Sequence, residues 1–151
     1  MRFFVWIGFV MLWVAGLARL PESWDKMRAA SLERRLLTPP CRNPEGIIAE
    51  LAELGPAGLP SVVRALDSSQ DGVVEAAQRA IWRELKTESD AASRSARITT
   101  VVRTMLAEYP RWREATRSAA YPLLRTIVDS PHPPTALSPI YLEQLKALAA
   151  A

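Results

Sequence analysis

Apolar residues recur along this chain at helical spacing, and no stretch alternates with a period of two. The clearest run is Ile98, Val101, Val102, Met105, Leu106 and Tyr109, which fall at i, i+3, i+4, i+7, i+8 and i+11 and mark one face of a helix. A second run, Ile47, Ile48, Leu51 and Leu54, follows Asn43 as a capping residue with Pro44 in the first turn, and Gly55 ends it. Leu59 to Leu66 reads as a short helix stopped by DSSQDG. Asp71 then caps a longer helix whose expected buried stripe is Val74, Ala77, Ile81 and Leu85. Upstream, Pro21 to Leu37 predicts a helix with the stripe Trp24, Met27, Leu32 and Leu36, closed by Thr38-Pro39-Pro40. Downstream, Pro110 opens the partner of the 98–109 helix, and Pro122 inside that partner predicts a kink near residues 118–122. Ser130 to Ser138 is Pro-rich and extended, and Pro139 to Ala151 forms a last amphipathic helix carrying Ile140, Leu142, Leu145 and Leu148. The expected fold class is all-α.

The helical pattern also repeats. Ser61–Thr87 and Thr100–Thr126 align without a gap at an offset of 39 residues, with 8 identities. The identities pair Val62 with Val101, Val63 with Val102, Arg64 with Arg103, Glu75 with Glu114, Ala76 with Ala115, Ala80 with Ala119, Leu85 with Leu124 and Thr87 with Thr126. Trp82 with Tyr121 and Lys86 with Arg125 keep the chemistry while changing the residue. A fixed period of this size is the mark of a helical repeat array, in which each unit buries its apolar face against its neighbours.

The order Gly55-Pro56-Ala57-Gly58-Leu59-Pro60, then VVRAL, an Asp-containing turn, and a helix carrying Ala76, Ala77 and Ala80 resembles the HEAT and HEAT-like repeats. The resemblance covers residues 47–129. In the second copy Glu108-Tyr109-Pro110 stands where the first has its Asp-rich turn. It implies a short α-solenoid of two to three antiparallel helical hairpins, with alanines letting helices approach closely. Members of this family mostly serve as protein-binding scaffolds. Some act with tetrapyrrole-attaching lyases, but nothing in this sequence matches a lyase site.

Ahead of the repeats stands a different kind of segment. Phe3 to Ala18 is a run of 16 uncharged, almost wholly apolar residues behind Arg2. As a helix it covers about 24 Å against a hydrocarbon core of about 30 Å, which is short for a span. Three readings stand: an uncleaved membrane anchor over 1–20, a secretory signal cut after Ala18, or a buried soluble helix. With an anchor, the basic flank Arg19, Lys26, Arg28, Arg34 and Arg35 faces lipid headgroups and the bias of positive charge keeps the helical domain on the cytoplasmic side. With a signal, the domain is exported. The chain thus divides into 1–20, a connecting helix and Pro-rich turn over 21–43, a repeat domain over 44–129, and the segment 130–151.

Charge and chemistry narrow the function classes. The net charge of +3 does not call for nucleic acid, although the middle of the chain is acidic and both flanks are basic. One cysteine, Cys41, excludes an internal disulfide, and one histidine, His132 in a Pro-rich loop, offers no metal constellation. No nucleophile–base set or glycine-rich phosphate loop is recognisable, so neither an enzyme nor a cofactor or small-molecule substrate is expected. What remains is binding. Successive residues of a helix advance by about 100°, so Glu75, Arg79, Trp82 and Lys86 share one face, and Glu114, Tyr121 and Arg125 repeat it in the second copy. An aromatic among charges at equivalent places either packs between neighbouring hairpins or anchors a protein partner. Arg94, Arg97, Arg103, Arg111, Arg113, Arg117 and Arg125 read as a solvated helical face in preference to a basic surface for phosphates or anionic lipid. The expected function is a membrane-tethered helical-repeat scaffold that binds another protein through its inner helices. An accessory subunit of a larger membrane complex and an exported regulatory domain are the alternatives.

Overall fold

The computed structural model describes residues 23–86, 91–129, 143–144 and 146–147. Their regular structure is entirely helical: α1 over residues 23–37, α2 Pro44–Glu53, α3 Leu59–Arg64, α4 Asp71–Lys86, α5 Ala91–Glu108 and α6 Glu114–Val128. Single 3-10 turns at Gly55–Ala57, Ala65–Asp67 and Tyr109–Arg111 tighten the connections.

The signals that bound α2 act as expected. The Asn43 side chain accepts the Gly46 N–H at 3.1 Å, and Gly55, at φ +57, turns the chain out of the helix where a side chain would be strained. At α4 the cap sits one residue earlier than the sequence suggests. The Gln70 carbonyl accepts from Val73 and Val74 at 3.0 and 3.2 Å, so Gln70 occupies the cap and Asp71 the first helical position. Pro110 does not open α6 either. It lies in the 3-10 turn after α5, Trp112 is extended and buried against the core, and α6 begins only at Glu114. Burying the Trp112 indole holds the backbone open for two residues before helix can resume. From Glu114, α6 runs through Pro122 to Val128.

The helices stack in two layers. α2 packs mainly on α4 and α3 mainly on α5, while α4 also meets α5 and α6. α1 joins the α3–α5 layer through Glu33, whose carboxylate takes hydrogen bonds from Ser61 and Arg64 of α3. The hairpins α3–α4 and α5–α6 therefore lie side by side. Their first helices match in pattern: Leu59, Val62 and Val63 of α3 with Leu66 of the 3-10 turn that follows it, and 39 residues later Ile98, Val101, Val102 and Met105 of α5, are all buried. Each such side chain withdrawn from water contributes about 1.5–3 kcal/mol before conformational entropy is set against it.

Two stripes differ from expectation. α1 buries Ala29, Leu32 and Leu36, and leaves Trp24 69% and Met27 67% exposed, because only the former three share the side turned to α3. α4 buries Val73, Ala76, Ala77, Ala80 and Ile81, with Val74 and Leu85 only half-buried at the edge. The buried arc is displaced toward α2, its main neighbour, and the small alanines allow that approach. In α6, Thr116, Ala120 and Leu124 match Ala77, Ile81 and Leu85 in register, but Ala115 is exposed and Ala119 half-exposed where Ala76 and Ala80 are buried. α6 touches α4 far less than α4 touches α2, so that edge stays open.

Residues 143–144 and 146–147 are helical, with Lys146 Nζ 3.0 Å from Glu143 Oε1. The rest of the expected C-terminal helix, the Pro-rich connection, and the expected anchor or signal over 1–20 lie outside the described residues. Among the described residues, no helix is long and apolar enough to cross a membrane.

Candidate interaction surface

The expected binding face on α4 and α6 divides into two parts. On the α2 side, Arg79 is turned across the interhelical groove, with Nη2 2.6 Å from Glu45 Oε1 and Nη1 3.7 Å from Glu75 Oε2. All three side chains remain largely exposed, so the pairings are worth little to stability and leave the charges available. On the other side, Trp82 is half-buried against the core with the Lys86 ammonium 5.5 Å from its ring centroid. The packing role considered for Trp82 is thus present, and its outer edge remains accessible. On α6, Glu114 and Arg125 are exposed, Tyr121 is 36% exposed, and Arg125 Nε lies 3.4 Å from Asp129 Oδ2.

Between α2 and α4 runs an open groove of about 490 Å³. Ile48, Ala49, Ala52, Ala76 and Ala80 form its apolar floor, and Glu45, Arg79, Glu84 and Arg97 stand along it. The floor is shallow because alanines end at Cβ, and the rims carry both signs of charge.

Of the basic flank, Lys26, Arg28, Arg34 and Arg35 are exposed along α1, and Arg28 reaches Glu50 of α2 at 3.5 Å; Arg19 lies outside the described residues. α1 thereby presents apolar and basic side chains together on its outer side.

Several polar groups with multiple hydrogen bonds lie where the sequence predicts a solvated face or marks no role. Arg97 of α5 forks onto Glu84 of α4, with Nε and Nη2 each 2.6 Å from a carboxylate oxygen, and Nη2 also donates to the Ala52 carbonyl of α2 at 2.9 Å. Arg64 forks onto Glu33 at 2.7 and 2.8 Å. Asp67 Oδ1 accepts from the Arg113 N–H and Nε and from Thr116 Oγ1 at 3.3, 3.1 and 2.6 Å, while Arg113 Nη2 donates to the Asp67 and Ser68 carbonyls at 2.8 and 2.7 Å. Each link ties one helical unit of the stack to another, and bidentate geometry fixes orientation as well as distance. Trp112, tilted at 52° to the Tyr109 ring with centroids 5.9 Å apart, was also passed over between two arginines. The repeat itself points to it, since Trp112 aligns with the buried Val73.

Two of these links depend on pH. The hydrogen bonds from Arg64 hold the Glu33 carboxyl below its usual range despite burial. Burial pushes Asp67 the other way, but the bonds from Thr116 and Arg113 together outweigh it and leave its pKa lowered. Both groups bind a proton less readily folded than unfolded, so their stabilisation is complete above the unfolded carboxyl values of about 4 and is lost as pH falls through the lower folded ones. Urea titration is expected to show wild type more stable than the Glu33→Gln/Asp67→Asn variant near pH 7, with the gap narrowing as the pH falls below about 4. An unchanged gap across that window would exclude these two carboxylates as the source.

Among the described residues, no three His, Cys, Asp or Glu side chains are placed to hold a metal ion. Compared with family models, curated proteins and solved structures, the chain matches none.

Proposed function

We propose that this protein is a membrane-tethered HEAT-like scaffold, a short solenoid of three helical hairpins that holds a partner protein on its α2–α4–α6 layer. The observation that carries the reading is the stacking of similar hairpins, so that α4 and α6 offer charged and aromatic side chains from one layer. Glu75, Arg79, Lys86, Tyr121 and Arg125 all reach solvent there. A row of exposed side chains on rigid helices suits recognition of an extended surface better than turnover of a small molecule. The tether is residues 1–20, whose apolar run is followed by the basic flank on α1; N-terminal sequencing that finds a chain beginning at Arg19 removes it.

Photo-crosslinking in the native membrane tests the binding layer. Crosslinkers at positions 79, 121 and 125 are expected to capture the same partner, and one at Arg103, exposed on α5, to capture none. Capture from position 103 alone, or a different product at every position, overturns the assignment. Tyr121→Ala is expected to weaken partner binding by about 1–2 kcal/mol with folding intact. Trp82→Ala is the less clean probe, because part of the indole lies in the core and its loss also costs about 2 kcal/mol of folding stability.

A further inference from the structure

We infer that the outer face of α1 docks on an anionic lipid surface, with Trp24 and Met27 inserted among the headgroups and Arg34 and Arg35 paired with lipid phosphates. The inference rests on the proposed tether and adds where the first helix of the domain lies. Taking about 100° per residue, Ala29, Leu32 and Leu36 define the buried side of α1, and the arc opposite them carries Arg34, Met27, Ser31, Trp24 and Arg35. That arc holds two large apolar side chains and two guanidinium groups but no carboxylate. The carboxylate of Glu33 is turned inward to Arg64, and Arg28 is held by Glu50. Arg34 and Arg35 make no ion pair among the described residues, and their side chains are exposed.

A Trp and a Met open to solvent over two-thirds of their surface are costly to hydrate, whereas indole rings and long basic side chains are both suited to the headgroup zone. Chain length brings them there. Trp24 lies six positions after Ala18, at the end of the apolar run, and even fully extended those six steps reach only about 20 Å. With the run in the bilayer, the first turn of α1 stays within about 20 Å of the hydrocarbon edge, so its apolar side chains are within reach of the headgroup zone. The basic residues follow about two to three turns later, and an anionic surface attracts each by about 1 kcal/mol when it lies near the surface.

The test uses the full chain in nanodiscs of phosphatidylcholine alone or mixed with phosphatidylglycerol, with Cys41→Ser and a spin label at position 27. In the mixed discs the label is expected to be accessible to oxygen and shielded from a water-soluble nickel reagent. Arg34→Gln/Arg35→Gln is expected to shift the docking equilibrium about thirtyfold toward the water-exposed form, with an unchanged melting temperature because neither side chain is packed. A label reached by the nickel reagent in both disc types overturns the docking while the tether stands. A label shielded from both reagents means that protein covers this face and equally overturns it. A chain that fails to remain with the discs overturns tether and docking together.

Discussion

Gly58→Ala is expected to destabilise the protein by about 3 kcal/mol or more, lowering the melting temperature by about 10 °C. Gly58 sits between the 3-10 turn that ends α2 and the first residue of α3, in ordinary helical backbone at φ -98 and ψ -29. Its role is therefore not conformational freedom. A Cβ built on it falls within the Leu51 carbonyl oxygen, with the carbonyl carbon 2.8 Å and the Leu51 Cα 3.1 Å away. These are main-chain atoms of α2, so no rotamer change relieves the overlap; α3 must move off α2, and it carries Leu59, Val62 and Val63 out of the core with it. Gly72→Ala is the control. There the nearest atom to an added Cβ is Pro44 Cγ at 3.9 Å, and the site is an exposed first turn of α4, so the same substitution is expected to stabilise by about 0.5–1 kcal/mol. Thermal melts of the two variants beside wild type check both signs. A mild effect at Gly58 would mean that α2 and α3 meet less closely than described, and with them the stacking on which the binding layer is proposed.

This contrast marks where the sequence was informative. The spacing of Ile98, Val101, Val102 and Met105, the Asn43 cap and the Gly55 stop are local signals, decided within one turn of helix, and they describe what the fold contains. The 39-residue self-match extends them one step, because two copies of one pattern must bury the same positions, and on α3 and α5 they do. On α4 the signal is ambiguous in principle. Val73, Val74, Ala76, Ala77, Ala80, Ile81 and Leu85 spread apolar surface over about half the circumference, and the neighbour on α2, not the helix itself, selects which part is buried. α1 shows the opposite failure. Trp24 and Met27 have the apolar character of core residues but lie on the side away from α3. The candidate surface was legible as a set of residues on two equivalent helices. That Arg79 bridges to Glu45 was not, since a charge at long sequence separation leaves no local trace.

Arg97→Ala is expected to cost about 2–4 kcal/mol, more than any other single charge removed from the described residues. Nothing near Arg97 in the sequence distinguishes it from Arg94 or Arg103. In the fold it reaches from α5 to both α2 and α4, donating to the Ala52 carbonyl while gripping both oxygens of Glu84. The Glu84 side chain is only 13% exposed, so truncating its partner leaves a carboxylate with little water to replace the lost bonds, and the last turn of α2 loses its link to α5. The cost stays below that of a fully buried pair because Arg97 itself retains access to solvent. Arg97→Lys should recover less than half of the loss. An ammonium can meet one carboxylate oxygen or the carbonyl but lacks the planar fork that satisfies all three acceptors. The double variant Arg97→Met/Glu84→Leu should be less destabilised than Arg97→Ala alone, since removing both charges leaves none stranded and fills the space. Chemical denaturation of the four proteins measures these differences. A double variant no more stable than Arg97→Ala would show that a stranded Glu84 carboxylate is not the source of the loss, and the rim of the α2–α4 groove would then be held by packing of the alanine floor rather than by this ion pair.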